Sequence, residues 1–245
     1  MNDQAAPPLL ELRGLHKRYG ALRVVDDVSL VVAPAETLGI IGPNGAGKTT
    51  LFNVIGGDVV PDGGQVILRG ADVTRLRPHA RCRRGIGRAY QVAKPFGGLT
   101  VFENLLVAAT FGGALRRRDA ECTAVEAVSF ARLDSKANRL AGSLTLLDRK
   151  RLEMARAIAT NPQVLLLDEI AGGLTDHEAH EVVAMVRAIR ERGVAIVWIE
   201  HVVHALLAVA TRLLVLSDGR EIAQGEPHSV IASAEVRRVY LGPEA

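Results

Sequence analysis

The stretch Gly42-Pro43-Asn44-Gly45-Ala46-Gly47-Lys48-Thr49-Thr50 has the residue types and the spacing to bind a phosphate chain. It fits Gly-x-x-x-x-Gly-Lys-Thr. Glycine lets a backbone approach an anion closely. The N–H groups of such a loop, and of the helix that follows it, point at that anion. Lys48 would reach the β- and γ-phosphates, and the Thr49 hydroxyl would ligate Mg²⁺. Gly42, Asn44, Gly45, Ala46, Gly47 and Thr50 complete the expected cradle.

Other residues extend the set. Val164-Leu165-Leu166-Leu167 is an apolar run ending in Asp168-Glu169. A strand of that kind presents its last residues at the edge of an α/β sheet where ligands bind. Asp168 can hold Mg²⁺ there, directly or through water. Glu169 can polarise an attacking water as general base. A second apolar run, Val194 to Ile199, ends in Glu200-His201. His201 reads either as a solvent-facing strand end or as a γ-phosphate sensor donating a hydrogen bond. Gln91, after Tyr90, is either a plain polar loop residue or one that positions water or metal. Tyr19 is either a core aromatic or a platform for adenine.

These residues need elements to hold them. Thr37 to Ile41 reads as a buried strand before the phosphate loop, and Lys48 to Ile55 as the helix after it. Upstream, Leu9 to Leu12 and Leu22 to Val32 read as strands joined at Tyr19-Gly20. Pro61-Asp62-Gly63-Gly64 is a turn, followed by a short strand from Gln65 to Leu68. Pro78 to Arg84 fits one helical stretch, with Pro78 in its first turn. Thr100 and Glu103 form a capping box that opens a helix. Helical spacing recurs over Asp119 to Leu133 and Ser143 to Thr160, where Asn161-Pro162 stops it. Glu178 to Arg192 is an amphipathic helix closed by Gly193. A helix through Leu206, a strand at Leu213 to Leu216, a turn at Asp218-Gly219 and a helical tail follow. Apolar strands alternating with helices argue for an α/β fold, a parallel sheet covered on both faces. The helical stretch between strands, from about residue 92, reads as an inserted lobe.

Composition narrows the class. Of the 245 residues, 48% are hydrophobic and only 4% aromatic, enough for a sizeable aliphatic core. No apolar run approaches the roughly 20 residues that span a bilayer. Met1 to Pro8 lacks the pattern of an export signal. Cys82 and Cys122 have no metal-like spacing, so a reduced cytosolic setting is the default expectation. Arg81, Arg83, Arg84 and Arg88 cluster, as do Arg116, Arg117 and Arg118. Both groups read as solvated faces, because no aromatics interleave with them to stack bases. No nucleic-acid partner is expected.

The order Tyr19, Gly42 to Thr50, Gln91, helical lobe, Asp168-Glu169 and His201 resembles the ATP-binding cassette (ABC) family over essentially the whole chain. The stretch Arg151-Leu152-Glu153-Met154-Ala155-Arg156-Ala157 is similar to the segment that follows the family signature. The resemblance implies a P-loop NTPase core with a mostly parallel sheet, an N-terminal antiparallel β subdomain and an inserted α-helical subdomain. Residues 1–91 and 145–245 would form core and β subdomain, and about 92–144 would begin the lobe, which extends through the signature helix to about 160. It further implies ATP and Mg²⁺ as cofactors, Lys48, Gln91, Glu169 and His201 in catalysis, and Thr49, Gln91 and Asp168 at the metal. The implied partners are transmembrane permease subunits, a second ATPase subunit in a homo- or heterodimer, and indirectly an extracytoplasmic solute-binding protein. The implied location is peripheral, on the cytoplasmic face of the inner membrane.

Gly85 to Gln91, Leu99 to Leu105 and Ala171-Gly172-Gly173-Leu174 resemble the ATPase subunits of branched-chain amino acid importers. Pro78 to Gly87 is also similar to lipopolysaccharide-export ATPases. A soluble cassette protein acting on nucleic acid is disfavoured by the single cassette and the lack of sustained heptads. Three departures stand out. The family signature Leu-Ser-Gly-Gly-Gln is replaced by Leu144-Thr145-Leu146-Leu147-Asp148, Ile170 stands where proline is usual, and Thr175 where Asp or Asn is usual. Leucine adds bulk where glycine admits phosphate, and Asp148 is expected to bring negative charge near an anionic ligand. The chain is thus expected to hydrolyse ATP in its own loop while completing its partner's site less well.

Overall fold

The structure, a computed structural model, describes residues 8–241. Apart from Pro8, the Met1–Pro8 segment lies outside them. The chain opens with β1 (Leu10–Tyr19) and β2 (Leu22–Val32), an antiparallel pair. β3 (Thr37–Ile41) feeds the phosphate loop and α1 (Lys48–Gly56). β4 (Gly63–Leu68) pairs back onto β1, and β5 (Ala71–Asp72) onto β4. Next come α2 (Pro78–Cys82), β6 (Ile86–Ala89), and the lobe helices α3 (Val101–Val107), α4 (Arg117–Phe130) and α5 (Leu146–Ala159). The remainder alternates: β7 (Val164–Asp168), α6 (Asp176–Glu191), β8 (Ala195–Ile199), α7 (Val203–Leu207) and β9 (Arg212–Ser217). β10 (Arg220–Gly225), α8 (Pro227–Ala232) and α9 (Ala234–Leu241) follow.

Two sheets result. One is antiparallel, in the order β2-β1-β4-β5, and the other runs β10-β9-β3-β8-β7-β6. In the second sheet only the β9–β10 pair is antiparallel. Strand side chains alternate across it. Leu165, Leu167, Ile196 and Trp198 join the core under α5, α6 and α7. Val164, Leu166, Val197 and Ile199 join the core shared with α1 and the antiparallel sheet. Burial on both faces is why these strands read as continuous apolar runs.

Several boundaries differ from the sequence reading. β1 continues to Tyr19 rather than ending near Leu12, because register shifts after Leu12 and Leu15 break the alternation. β6 was not legible as a strand, since Gly87 and Arg88 interrupt its apolar pattern. Gly87 is required there: a Cβ would sit 2.9 Å from Pro162. α5 starts at Leu146 instead of Ser143, since Thr145 caps it after a 3₁₀ turn at Ala141–Ser143. α6 starts two residues early for the same kind of reason, with Thr175 and Glu178 forming a capping box. The predicted box at Thr100 is present, Glu103 N donating to Thr100 Oγ1 at 3.1 Å and Thr100 N to Glu103 Oε2 at 2.7 Å.

The arginine cluster is not a solvated face. Arg83 and Arg84 are exposed, but Arg81 is only 1% exposed. Its guanidinium donates to the carbonyls of Val54, Ile55, Thr74 and Leu76 at 2.6, 2.7, 2.6 and 3.0 Å. It therefore closes the C-terminal end of α1, where carbonyls lack helical partners. Arg88 is likewise largely buried and pairs with Asp168 at the end of β7.

Candidate nucleotide site

The phosphate loop leaves β3 at its C-terminal end and turns into α1. Lys48 is buried, and its Nζ donates to Gly42 O at 2.7 Å and Pro43 O at 2.9 Å. Burial pushes the ammonium pKa down, and the nearby Glu169 charge opposes that shift. Gly47 takes the left-handed conformation, φ +96°, just before α1. A Cβ on Gly47 would lie 2.1 Å from Val24 O, and one on Gly42 2.2 Å from Leu216 O. The loop is thus backed by β2 and β9. Gly219, in the turn between β9 and β10, donates to Ala46 O at 3.2 Å and accepts from Asp26 N at 2.8 Å. Asn44, Gly45 and Thr49 are exposed on the open side, and Ala46 is buried.

β3, β8, β7 and β6 are consecutive parallel neighbours. Their C-terminal ends deliver the phosphate loop, Glu200-His201, Asp168-Glu169 and Tyr90-Gln91 to one edge, the usual ligand edge of such sheets. Glu169 is the meeting point. His201 Nε2 lies 2.8 Å from its Oε1, and Gln91 Nε2 donates to its Oε2. Its backbone is left-handed, φ +45°, and its N–H donates to Ile199 O at 2.9 Å. A non-glycine residue held this way stores about 1–3 kcal/mol of strain, a condition that clusters at functional sites. The carboxylate is thereby aimed by two side chains from neighbouring strands. Tyr19, at the end of β1, is 51% exposed and is no core aromatic.

Three further participants lie outside the set of candidate site residues that the sequence singles out. Arg88 Nη2 donates to Asp168 Oδ2 at 2.9 Å, while Nη1 donates to Asn53 Oδ1 and Asp58 Oδ2. Glu200 is 2% exposed and accepts from Ala171 N at 2.8 Å. Burial pushes its pKa up to about 7, and the like charge of Glu169 adds to that. Lys150, on α5, is buried beside it. Glu200 could have been suspected as a charge ending an apolar strand. Lys150 reads as an ordinary helix cation, and Arg88 falls in the cluster that reads as a solvated face.

The segment Leu144 to Asp148 also differs from expectation. Asp148 does not face outward toward an anion. It is buried, contacts Lys136, and lies 3.5 Å from Arg151. Burial pushes its carboxyl pKa up, but Lys136, Thr145 and Arg151 outweigh this and hold it below the ordinary range. The Thr145 hydroxyl accepts from Asp148 N at 3.3 Å and donates to Asp148 Oδ2 at 2.9 Å. Leu146 is 49% exposed, Leu147 is half-buried and Leu144 is buried. The segment thus presents an apolar surface rather than a charge.

The donors for a metal are the Thr49 hydroxyl, the Asp168 oxygen not bonded to Arg88, and the Gln91 amide oxygen, since Gln91 spends its NH₂ on Glu169. Hard oxygens of this kind, completed by phosphate and water, suit Mg²⁺. Among the described residues no group of three or more His, Cys, Asp or Glu is gathered to hold an ion. The donors present therefore fit a metal held jointly with phosphate.

Loop, acidic pair and bridged glutamate at one sheet edge define a P-loop ATPase. Residues 25–172 match the ABC transporter family model. The chain belongs to that family and is an ABC-type ATPase. It is 37% identical over 235 residues to the lipopolysaccharide export system ATP-binding protein LptB of Escherichia coli (strain K12), covering 96% of this chain and 98% of LptB. It is 36% identical over 250 residues to the high-affinity branched-chain amino acid transport ATP-binding protein LivG of the same strain, with the same coverage. The crystal structure of the ADP conformation of MJ1267, an ATP-binding cassette of an ABC transporter, superposes with a TM-score of 0.87 at 29% identity, covering 97% of this chain and 100% of that one. Among the described residues no helix is long and apolar enough to cross a membrane.

Proposed function

We propose that the chain is the ATP-hydrolysing subunit of an importer for branched-chain or related amino acids, peripheral on the cytoplasmic face of the inner membrane. The bridged Glu169 carries the catalytic part of this reading. Lys48 and the loop N–H groups from Gly42 to Thr50 hold the phosphates, and Tyr19 offers its exposed ring to adenine. Thr49, Gln91 and Asp168 would hold Mg²⁺, which when bound neutralises phosphate charge. Glu169 takes the proton from the attacking water. His201 keeps that carboxylate oriented and is placed to sense the γ-phosphate.

Transport requires membrane subunits. A groove of ≈ 320 Å³ between core and lobe, lined by Tyr90, Phe96 and Phe111, supports their docking. These rings are 44%, 49% and 66% exposed in a chain with only 4% aromatic residues. Large exposed apolar groups at one place mark an interaction surface. A second ATPase subunit would meet Thr145 and Leu146, and a solute-binding protein would act through the permease. With leucines in place of glycines, this chain completes its partner's ATP site less well than its own. The likeness to LivG supports an amino acid solute, and the equally strong likeness to LptB favours lipid export as the second reading.

Uptake of branched-chain amino acids in cells lacking this chain tests the proposal. Uptake should be lost, restored by the wild type and left unrestored by Glu169→Gln. Normal uptake with an envelope defect would favour the export reading instead.

A further inference from the structure

Helix α5 fastens the loop after β6 with three side chains spaced three residues apart. Lys150, 4% exposed, donates to Gln91 O at 3.1 Å. Glu153, 6% exposed, faces the backbone of Tyr90 and Lys94, whose N–H groups favour its charged form against burial. Arg156 donates to Lys94 O at 3.2 Å and to Glu153 at 3.0 Å, and lies 5.3 Å from the Phe96 ring centre. Residues on one helix face recur at this spacing, so one stripe of α5 reaches the loop at Gln91, Lys94 and Phe96.

Lys150 does something its two neighbours do not. The same ammonium also donates to Glu169 O at 3.3 Å. One buried point charge thus joins α5 to the backbones of both Gln91 and Glu169, whose side chains meet. An ammonium has three donors and no acceptor, so two carbonyls converging on it suit its geometry. Burial makes the charge expensive, and the carboxylates of Glu200 and Glu169 offset that. A buried charge of this kind can fix an arrangement that neutral packing would leave loose.

We propose that Lys150 is a positioning residue for ATP hydrolysis. It fixes the Glu169 carboxylate relative to the Gln91 amide and makes the placement of the lobe helix felt at the base. This rests on the reading of Glu169 as base, so the test separates the two. Lys150→Met, Lys150→Arg and Glu169→Gln are compared with the wild-type chain by kcat, KM, melting temperature and amide hydrogen exchange without nucleotide. Lys150→Met should lower kcat on the order of tenfold to a hundredfold, the scale of a small misplacement of reacting groups. Its KM should stay within about twofold, as expected when binding is untouched. Exchange should quicken in residues 90–94 and 168–172 alone, and Lys150→Arg should recover most of the rate.

A folded Lys150→Met with wild-type kcat would overturn the proposal. So would equal losses in both Lys150 variants with exchange raised throughout the lobe, the mark of a packing role. If Lys150→Met does not fold, Lys150→Gln is judged by the same criteria. Turnover persisting in Glu169→Gln would remove the base assignment while leaving the exchange result for Lys150 to stand.

Discussion

Replacing Arg81 by methionine should destabilise the chain by about 3–5 kcal/mol, because four carbonyls lose their charged donor at once. The side chain is 1% exposed, and four main-chain carbonyls share its guanidinium. Burial pushes its pKa down to about 10, which leaves it charged at neutral pH. Methionine fills much of the volume but donates nothing. Val54 and Ile55, in the last turn of α1, then keep buried carbonyls without partners. Each such loss costs about 1–3 kcal/mol, and the four are not additive. Gly57 narrows any escape, since a Cβ there would already lie 2.8 Å from Arg81 Nε. In a chain this size 1 kcal/mol moves the melting temperature by about 2–4 °C, so a fall of roughly 6–20 °C is expected. Urea unfolding and thermal melting followed by circular dichroism measure it, with exposed Arg84→Met as control. The control should stay within about 0.5 kcal/mol of wild type. Equal shifts in the two variants would refute the reasoning.

Three further outcomes follow from the same geometry. Glu200, facing Lys150 and Glu169, has a folded-state pKa raised from 4.5 to about 7, so the folded chain keeps a proton that the unfolded chain has released. Stability contributed this way is present below pH 4.5 and is lost as pH rises through 7, by up to about 3 kcal/mol. Glu200→Gln should flatten that stretch of the stability curve, and parallel wild-type and variant curves would count against it. Lys48→Met should weaken MgATP binding at least about tenfold, because the cation placed to contact the phosphates is lost. Equilibrium binding of a fluorescent ATP analogue reads this. Thr175→Ala should cost about 0.5–2 kcal/mol in urea unfolding through the lost cap of α6.

The phosphate loop and the apolar strands were legible because their signals are local. Gly-x-x-x-x-Gly-Lys-Thr is a spacing, and a strand buried on both faces is a run of Val, Leu and Ile. The four residues at the sheet edge could be read as strand ends, though their convergence on Glu169 could not. Arg81 and Arg88 were misread because burial of a charge is decided by its acceptors. Those of Arg81 are carbonyls, which leave no mark in a sequence. Asp148 was misread for a related reason. Its position in the signature segment suggested an outward charge, but Lys136, twelve residues earlier, neutralises it. Thr145 and Thr175 shifted helix starts by two or three residues because caps are chosen by the fold among several candidates.

The contact between the phosphate loop and the hairpin of β9 and β10 makes the stretch from Arg212 onward part of the structure that shapes the candidate nucleotide site. Leu216 and Gly219 touch no phosphate, yet they form the wall against which Gly42, Ala46 and Gly47 are moulded. A chain ending before Arg212 would keep every residue of the binding motif and lose the mould. Damage there would be diagnosed at the bench as poor nucleotide affinity, with an intact motif in the sequence to mislead the search for its cause.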